Sequence, residues 1–196
     1  MRYFFIFSLF IASTCFGAPS AKDSVQSATD VLLEKLVDAR DLYEVDQEAF
    51  FIEIDAALGP FIDFDGFARG VMAKFYRSAS AEQRAAFGKR FRVLLIQTYA
   101  SALVEFDNQK VVVRDSEKGN RDPARATVIL DIHGKGGSIY RVEYSLVLKG
   151  ESWKLRNVVV NGFNIGLVFK TQFRTDMQKY KNDIDSVIEH WQVTEL

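Results

Sequence analysis

The sequence predicts an α+β protein in which N-terminal helices and a C-terminal helix pack on one face of a four-stranded antiparallel sheet. Three observations indicate this fold. Apolar residues recur at spacings of three and four over residues 21–106, which is the periodicity of amphipathic helices. Residues 109–160 instead alternate apolar and polar side chains in four segments. A helical pattern returns after Gly162 and continues almost to the C-terminus, and this order favours helices that cover one sheet face.

Three helices are predicted before residue 78. An apolar stripe that begins at Val25 and ends at Ala39 predicts the first of them. A shorter stripe over residues 50–58 predicts the second, which Gly59 and Pro60 end. The aromatic-rich segment that follows Pro60 predicts the third.

The fourth helix has the clearest pattern. Ser80 is a good N-cap residue, and Gln83 three residues later completes a capping box. Apolar residues then occupy one face for about five turns, from Phe87 to Phe106. We therefore expect a long amphipathic helix whose apolar side lies on the sheet.

The predicted strands are separated by turn signals, of which residues 134–137 and 150–151 are typical of hairpins. Hairpins make neighbouring strands antiparallel. In the fourth strand, strict alternation places Trp153 and Leu155 on the face opposite Val158 and Val160. The four strands are predicted at 109–114, 125–132, 138–149 and 152–160.

Residues 1–18 have the layout of a secretory signal peptide. Arg2 precedes a short apolar run, and small and polar residues follow that run. The run is too short to span a bilayer. We expect cleavage after Gly17 or Ala18 and a single exported domain over residues 19–196.

The only cysteine, Cys15, lies in this predicted leader. It raises the alternative of a lipid anchor, although residues 12–14, which precede it, fit a lipid-attachment box poorly. The remaining domain has no thiol for a disulfide, a nucleophile or a thiolate metal site. Its stability must therefore come from its apolar core.

Composition and motifs exclude several function classes. The chain is 48% hydrophobic and 26% charged, as is typical of one soluble domain. Its 25 basic and 26 acidic residues are well mixed, so we expect no nucleic-acid partner, which would require a basic face. The sequence has no zinc-protease, phosphate-loop or serine-hydrolase motif. We expect a monomer that is not an enzyme and has no cofactor or metal.

Few residues are candidates for chemistry. The two histidines, His133 and His190, fall in separate places, so we expect exposed or capping roles for them. Asp131 is a candidate acid or base, but alternation places it on the polar face of its strand. Asn164 is predicted to cap the last helix, with phosphate binding at that helix N-terminus as the alternative.

Three segments carry a resemblance to a known family. Residues 78–103 read SASAEQRAAFGKRFRVLLIQTYASAL, and residues 153–173 read WKLRNVVVNGFNIGLVFKTQF. A third segment at 61–72 reads FIDFDGFARGVM. Together they resemble the MlaC family of periplasmic phospholipid carriers, also called toluene-tolerance or Ttg2 auxiliary proteins, over nearly the whole predicted domain.

The sequence departs from the family pattern in the second segment. Asn157 replaces an acidic residue, Asn164 replaces a serine, and Phe169-Lys170 replace a Tyr-Arg pair. A hopanoid-biosynthesis-associated branch is similar in sequence. The resemblance therefore leaves a hopanoid-type lipid open as an alternative cargo.

The resemblance implies an apolar pocket between the helices and the sheet that takes acyl chains and leaves the headgroup near solvent. It also implies a periplasmic carrier that exchanges phospholipid between an outer-membrane lipoprotein complex and an inner-membrane MCE-domain ABC transporter, without chemistry on the lipid. From the inferred facing of side chains, we expect the tail pocket to be lined by Val71, Phe75, Phe91, Leu94, Leu95, Thr98, Tyr99, Leu103, Tyr140, Val142, Tyr144, Leu146, Val158, Val160, Phe163 and Leu167.

Two other classes of function stay open at this point. One is an enzyme of cone-shaped helix-on-sheet fold, with Asp131 or a pocket tyrosine as the acid or base. The other is an interaction protein of a membrane complex, which would have no cavity. The character of the pocket discriminates among them, because a lipid needs a deep apolar cavity and catalysis needs convergent titratable groups.

Overall fold

The computed structural model of the chain describes residues 19–104, 106, 109–116, 119 and 121–193. The signal peptide predicted for residues 1–18 lies outside the described residues. The described part of the chain contains seven α-helices, which are α1 Ala21–Ala39, α2 Leu42–Val45, α3 Gln47–Leu58, α4 Phe64–Met72, α5 Ala81–Val104, α6 Ile165–Lys179 and α7 Ile184–His190. A 3₁₀ helix, Ala73–Arg77, follows α4 directly.

The helix start predicted at Ser80 is confirmed. The Gln83 backbone N–H donates to Ser80 Oγ at 3.1 Å, and the Ser80 N–H donates to Gln83 Oε1 at 2.9 Å. This reciprocal capping box satisfies two amides that the first turn of α5 leaves without helical partners.

The single helix predicted for the C-terminal region is wrong, because it is divided into α6 and α7. Lys181 and Asn182 between the two helices have φ values of 53° and 64°, and this left-handed conformation ends a helix. Asp183 then caps α7 by accepting from the N–H groups of Asp185 and Ser186. Asx capping residues of this kind begin a new helix.

The four-stranded sheet of the prediction is also wrong, because the described residues form five antiparallel strands in the order β1-β2-β3-β4-β5. Asn161 and Gly162 have φ values of 48° and 87°, as a two-residue hairpin turn requires. This turn brings Phe163 opposite Val160 and creates the last strand. The strands are β1 Val111–Asp115, β2 Arg125–His133, β3 Ile139–Lys149, β4 Ser152–Val160 and β5 Phe163–Asn164.

A β-bulge in β4 changes which side chains face the helices. Ser145 of β3 pairs with Asn157, but the next residue, Leu146, pairs with Leu155, so Arg156 is the extra residue. A bulge shifts the alternation by one residue. Leu155 and Val158 therefore both face the helices, and the prediction that they lie on opposite faces is wrong.

Two apolar clusters form the core. The sheet cluster consists of the inner sheet face with residues of α1 and Phe61, and its buried members are Val25, Phe61, Val113, Val128, Leu130, Val142, Leu146 and Leu155. The helix cluster lies among α3 to α7 and the C-terminal end of α1, and its largest fully buried members are Phe50, Phe87, Phe91, Phe169, Phe173 and Trp191. Ile62, Val158 and Val160 pack against both clusters, and we call them the cluster junction.

The long helix α5 contributes mainly to the helix cluster. It packs against α3, α4 and α7, whereas α1, α4 and α6 contact the sheet. The ring centroids of Phe87 and Phe173 are 4.9 Å apart, and those of Phe87 and Trp191 are 5.2 Å apart, both in edge-to-face geometry. The apolar side of α5 therefore faces mainly other helices, which differs from the predicted packing on the sheet.

Candidate functional site

The predicted pocket residues occupy three kinds of environment. Some are buried or half-buried within or against the helix cluster, and these are Val71, Phe75, Phe91, Leu94, Leu95, Tyr99 and Leu103, while Thr98 is half-buried on α5. Others belong to the inner sheet face or the cluster junction, and these are Val142, Tyr144, Leu146, Val158 and Val160. Tyr140, Phe163 and Leu167 are 48%, 69% and 58% exposed.

The cluster junction is the place where the helical and sheet groups meet. Val158 and Val160 lie on the inner face of β4, between β3 and β5, yet they are only half-buried. Tyr144 faces the same side from β3, and its ring centroid lies 6.3 Å from that of Phe61. Burial raises the pKa of Tyr144, so it stays neutral over the ordinary pH range.

Asp131 lies on the outer face of the sheet, as its alternation predicted. Its neighbours Val128 and Leu130 are buried in the sheet cluster, while its carboxylate binds Arg114 Nε at 2.8 Å and Arg141 Nε at 3.3 Å. The hydrogen bond from Arg114 lowers the pKa of Asp131, and partial burial alone would raise it. The hydrogen bond from Arg141 and the positive charges of both arginines lower it further, so the net shift is downward. Asp131 is therefore an ionised member of an ion-pair triad on the side away from the apolar clusters.

The two histidines are in separate parts of the structure. His133 ends β2, and its backbone N–H donates to the Lys110 backbone carbonyl at 2.9 Å. His190 ends α7, where its ring stacks on Tyr180 at a centroid distance of 5.1 Å. Within the described residues, no group of three or more His, Cys, Asp or Glu side chains is placed to hold a metal ion.

Asn164 and Asn157 together cap α6. Asn164 Oδ1 accepts from the Leu167 N–H at 2.9 Å, which confirms the predicted N-cap. Asn157 Nδ2 donates to the same Oδ1 at 3.1 Å, and Asn157 Oδ1 accepts from the Gly166 N–H at 2.9 Å. A side chain at Gly166 would collide with Asn157 Oδ1, because an added Cβ would lie 2.4 Å from it. Sequence reasoning missed this pairing, although both asparagines were already marked as departures from the family pattern.

Asp63 is the one buried charged residue of the core among the residues described. Its carboxylate caps α4 by accepting from the Gly66 N–H at 3.0 Å, and it binds Lys149 Nζ at 2.6 Å and Arg156 Nε at 3.2 Å. Burial opposes its ionisation, but the hydrogen bonds from Lys149 and Gly66 and the two positive charges outweigh burial and lower its pKa. Asp63 therefore ties α4 to β3 and β4 beside the cluster junction.

The chain is similar to known proteins over most of its length. The family model described as MlaC protein matches residues 26–193. The toluene tolerance protein Ttg2D of Pseudomonas putida is 39% identical over 176 residues, which are 89% of this chain and 81% of that protein. The intermembrane phospholipid transport system binding protein MlaC of Haemophilus influenzae is 24% identical over 164 residues, which are 83% of this chain and 77% of that protein.

A solved structure shares the fold. It is the structure of a phospholipid-binding protein from Ralstonia solanacearum in complex with a phospholipid. Its TM-score to this chain is 0.78 at 23% sequence identity, and the alignment covers 87% of this chain and 94% of that one. No helix in the described part of this chain is long and apolar enough to cross a membrane.

The architecture places this protein among the helix-on-sheet α+β proteins, in which a helical layer covers one face of an antiparallel sheet. Within that class the match is specific, since it extends over residues 26–193 and includes a relative 39% identical in sequence. The chain belongs to the MlaC family, which confirms the resemblance found in the sequence.

Proposed function

We propose that this protein is a periplasmic carrier that binds the acyl chains of phospholipid and moves lipid between an outer-membrane lipoprotein complex and an inner-membrane MCE-domain ABC transporter. The observation that carries the proposal is the half-burial of apolar residues on the inner sheet face. Val158 and Val160 are covered by helices and flanked by strands, yet they are not fully buried. Inner-face residues of this kind suit a wall against which an acyl chain packs.

Half-buried apolar residues also occur on the helical side. Leu94, Tyr99 and Leu103 of α5 are half-buried and pack against the helix cluster that Val158 and Val160 also contact. Moving a methylene group out of water is worth about 0.8 kcal/mol, so a tail of about 16 carbons needs cover of this kind to cross an aqueous compartment. The names of the relatives, which include a phospholipid transport binding protein and a phospholipid-binding protein, support this cargo.

The pairing of Asp63 and Asp131 with cations suits a carrier better than an enzyme. Asp63 is held by two cations and caps a helix, and Asp131 is paired on the outer face. Neither carboxylate is available as an acid or base toward an apolar ligand. We therefore propose binding and release without covalent chemistry.

We further propose that residues 1–18 direct export and are removed, leaving residues 19–196 as one lipid-binding domain. Mass spectrometry of the protein from the periplasmic fraction tests this directly. The expected mass is that of a chain whose first residue is Ala18 or Pro19. A mass that retains the leader, or one that carries a lipid on Cys15, contradicts the proposal.

The carrier function is tested by expressing the full chain with its own leader and purifying it without detergent. Native mass spectrometry should find bound phospholipid, and its fragments identify the cargo, including a hopanoid if that is the lipid. Protein that is lipid-free and also takes no lipid from phospholipid vesicles would refute the carrier function.

Variants of β4 locate the binding region. Val158→Trp places a large ring at the cluster junction and displaces on the order of four methylene groups of a tail, which lowers affinity on the order of a hundredfold. Val159→Trp is the matched control, because Val159 pairs with Glu143 and Asn164 and belongs to neither apolar cluster. Val158→Phe serves as a smaller change if the Trp variant does not fold. Full lipid occupancy in a folded Val158 variant excludes the junction as the binding wall.

A further inference from the structure

A groove on the protein surface runs between α6 and the end of α4 with its 3₁₀ turn, and we call it the α4–α6 groove. Its volume is about 350 Å³. Phe75 and Leu167 contribute apolar surface, and Lys74, Lys170 and Arg174 also line it. All three basic residues are exposed. The groove therefore combines an apolar surface with positive charge.

The positive charge of the α4–α6 groove is not compensated locally. Among the described residues that line it, every titratable side chain is a cation. No ion pair involves Lys74, Lys170 or Arg174 within the part of the chain that the structure describes, although Lys74 Nζ lies 4.9 Å from the Phe75 ring centroid. Such a surface attracts an anionic partner.

A second groove between α3 and α5 provides the contrast. It is also lined by exposed apolar residues, among them Ile52 at 61% exposure. There, however, Arg92 binds Asp55 at 2.8 Å, and Glu48 adds another negative charge. Apolar exposure is thus common to both grooves, but charged residues of both signs line the α3–α5 groove, whereas only cations line the α4–α6 groove.

Two exposed apolar side chains, Leu167 in the α4–α6 groove and Phe163 just before α6, accompany its cations. Leu167, Lys170 and Arg174 are spaced by three and four residues, so they share one face of α6. Phe163 precedes α6 across the Asn164 cap and is 69% exposed, and Leu167 is 58% exposed. Large apolar side chains flanked by Lys and Arg are typical of surfaces that dip into the headgroup region of a bilayer.

The position of Phe163 connects this surface with the cluster junction. Phe163 pairs with Val160 across the Asn161-Gly162 turn, and antiparallel partners project from the same sheet face. Phe163 therefore lies at the rim of the same sheet face that carries Val158 and Val160.

We propose that the α4–α6 groove and Phe163 form a docking surface for anionic phospholipid bilayers. The cations bind the headgroup phosphates, and Phe163 and Leu167 enter the headgroup region. An acidic protein surface is less well matched, because Phe163 and Leu167 are 69% and 58% exposed, and such large apolar side chains suit a bilayer better than an acidic surface. The inference does not depend on the carrier function, since docking requires no lipid inside the protein.

Vesicle sedimentation of the full mature chain tests the proposal. The probes are phosphatidylcholine vesicles and vesicles in which about a third of the lipid is phosphatidylglycerol. We expect binding to the anionic vesicles only, and binding should weaken with added salt because the Debye length falls to about 8 Å at physiological ionic strength. Absence of binding to anionic vesicles at low salt overturns the proposal and leaves an acidic protein as the partner class.

Charge reversal assigns the binding to this surface. Each cation near an anionic membrane is worth about a fivefold change in affinity, so K170E/R174E should weaken binding by at least about 25-fold. The double variant K89E/R121E is the matched control, because it reverses two exposed cations outside the groove. We expect the control to bind within about twofold of the wild type. An equal loss in both double variants would mean that only net charge matters, and it overturns the proposal.

Apolar variants test the insertion of side chains. Leu167→Ser should weaken binding to anionic vesicles about tenfold, whereas Ile52→Ser, at similar exposure in the α3–α5 groove, should leave it unchanged. Equal effects of the two changes contradict insertion at this surface. Native mass spectrometry of K170E/R174E keeps the two proposals distinct, because this variant changes no residue of the predicted tail pocket and should retain lipid while it loses vesicle binding. Wild-type protein that binds vesicles but carries no lipid and takes none from them would refute the carrier function alone.

Discussion

The buried carboxylate of Asp63 gives the sharpest test of how the helices are attached to the sheet. Its side chain is 3% exposed, and it binds Lys149 Nζ at 2.6 Å and Arg156 Nε at 3.2 Å. It also caps α4 through the Gly66 N–H. Replacing Asp63 with Asn retains the volume and the cap, because Asn and Asp are equally good N-cap residues. The change therefore removes the charge and replaces Oδ2, which faces Arg156 Nε, with an NH2 group that no longer accepts.

The expected cost follows from the surroundings of the three charges. Removing one partner of a buried ion pair costs about 3–5 kcal/mol when the other charge stays buried. Here the side chains of Lys149 and Arg156 are 51% and 31% exposed, so both regain hydration after the change. We expect Asp63→Asn to lower the free energy of unfolding by about 2 kcal/mol. Asp63→Ala should cost about 1 kcal/mol more because it also removes the cap.

Equilibrium unfolding in urea measures these differences, with Asp46 as the matched control. Asp46 caps α3 by accepting from the Ala49 N–H at 3.0 Å, and no ion pair involves it within the described ranges. Asp46→Asn should be nearly neutral, and Asp46→Ala should cost about 1 kcal/mol. The reasoning is wrong if Asp63→Asn costs no more than Asp46→Asn.

The pH dependence of the same variants provides an independent check. The pKa of Asp63 is lowered below its ordinary value of 3.8 in the folded protein. A lowered folded-state pKa contributes stability above the unfolded-state value, and this stability is lost as pH falls through the folded-state value. The gap between wild type and Asp63→Asn should therefore be full at neutral pH and close below about pH 4. A gap that is the same at neutral and acidic pH would show that charge is not its cause.

Three further predictions concern the backbone, the core and the α6 cap. Ala73 has a φ of 49°, so Ala73→Gly should be neutral or stabilise the protein by up to about 1 kcal/mol, whereas Ala86→Gly on the exposed side of α5 should cost about 1 kcal/mol. Phe169 is fully buried, so Phe169→Ala should lower the free energy of unfolding by about 3–5 kcal/mol. Asn157→Asp removes the donor to Asn164 Oδ1 and should lower the free energy of unfolding by about 1 kcal/mol. Adding Asn164→Ser to the same chain should recover this loss. The serine hydroxyl can donate to the introduced carboxylate and still accept from the Leu167 N–H of the helix.

Urea unfolding also decides these three predictions. Equal losses for the two alanine-to-glycine variants would refute backbone strain at Ala73. A loss below about 1 kcal/mol for Phe169→Ala would mean that the helix cluster closes over the missing ring. Additive effects of the changes at Asn157 and Asn164 would refute their coupling, which a double-mutant cycle measures directly.

Local signals in the sequence predicted much of the fold. The capping box at Ser80 is local, since its two hydrogen bonds join residues three apart, and it was found correctly. The bounds of the fourth strand were also correct, because the turns on both sides of it contain glycine. The facing of β2 followed from its regular alternation, which places Val128 and Leu130 inward and Asp131 outward.

Features that depend on distant partners were not predictable in this way. A two-residue strand such as β5 is too short to alternate, so only its pairing with β4 reveals it. The apolar side of α5 was read correctly as a side that packs, but a helix pattern does not specify whether the partner is a sheet or another helix. The pairing of Asn157 with Asn164 joins residues on opposite sides of a turn, and the side-chain types alone do not indicate it.

The bulge at Arg156 shows how one backbone feature determines the candidate site. In the first half of β4, the edge that does not face β3 forms a parallel bridge between Leu155 and Ile62. The Asp63 N–H donates to the Leu155 carbonyl at 2.8 Å, and the Leu155 N–H donates to the Phe61 carbonyl at 2.8 Å. Arg156, the extra residue, binds the Asp63 carboxylate beside this bridge.

The bulge also resets the facing of the strand that follows it. With strict alternation after Leu155, Val158 and Val160 would project from the outer face, away from the helices. One inserted residue turns both valines inward, so that they join the two apolar clusters. The bond between Asp63 and Arg156 thus stabilises the backbone geometry on which the proposed lipid wall depends. A variant that weakens this bond should therefore lose lipid as well as stability, whereas the Asp46→Ala control should lose stability alone.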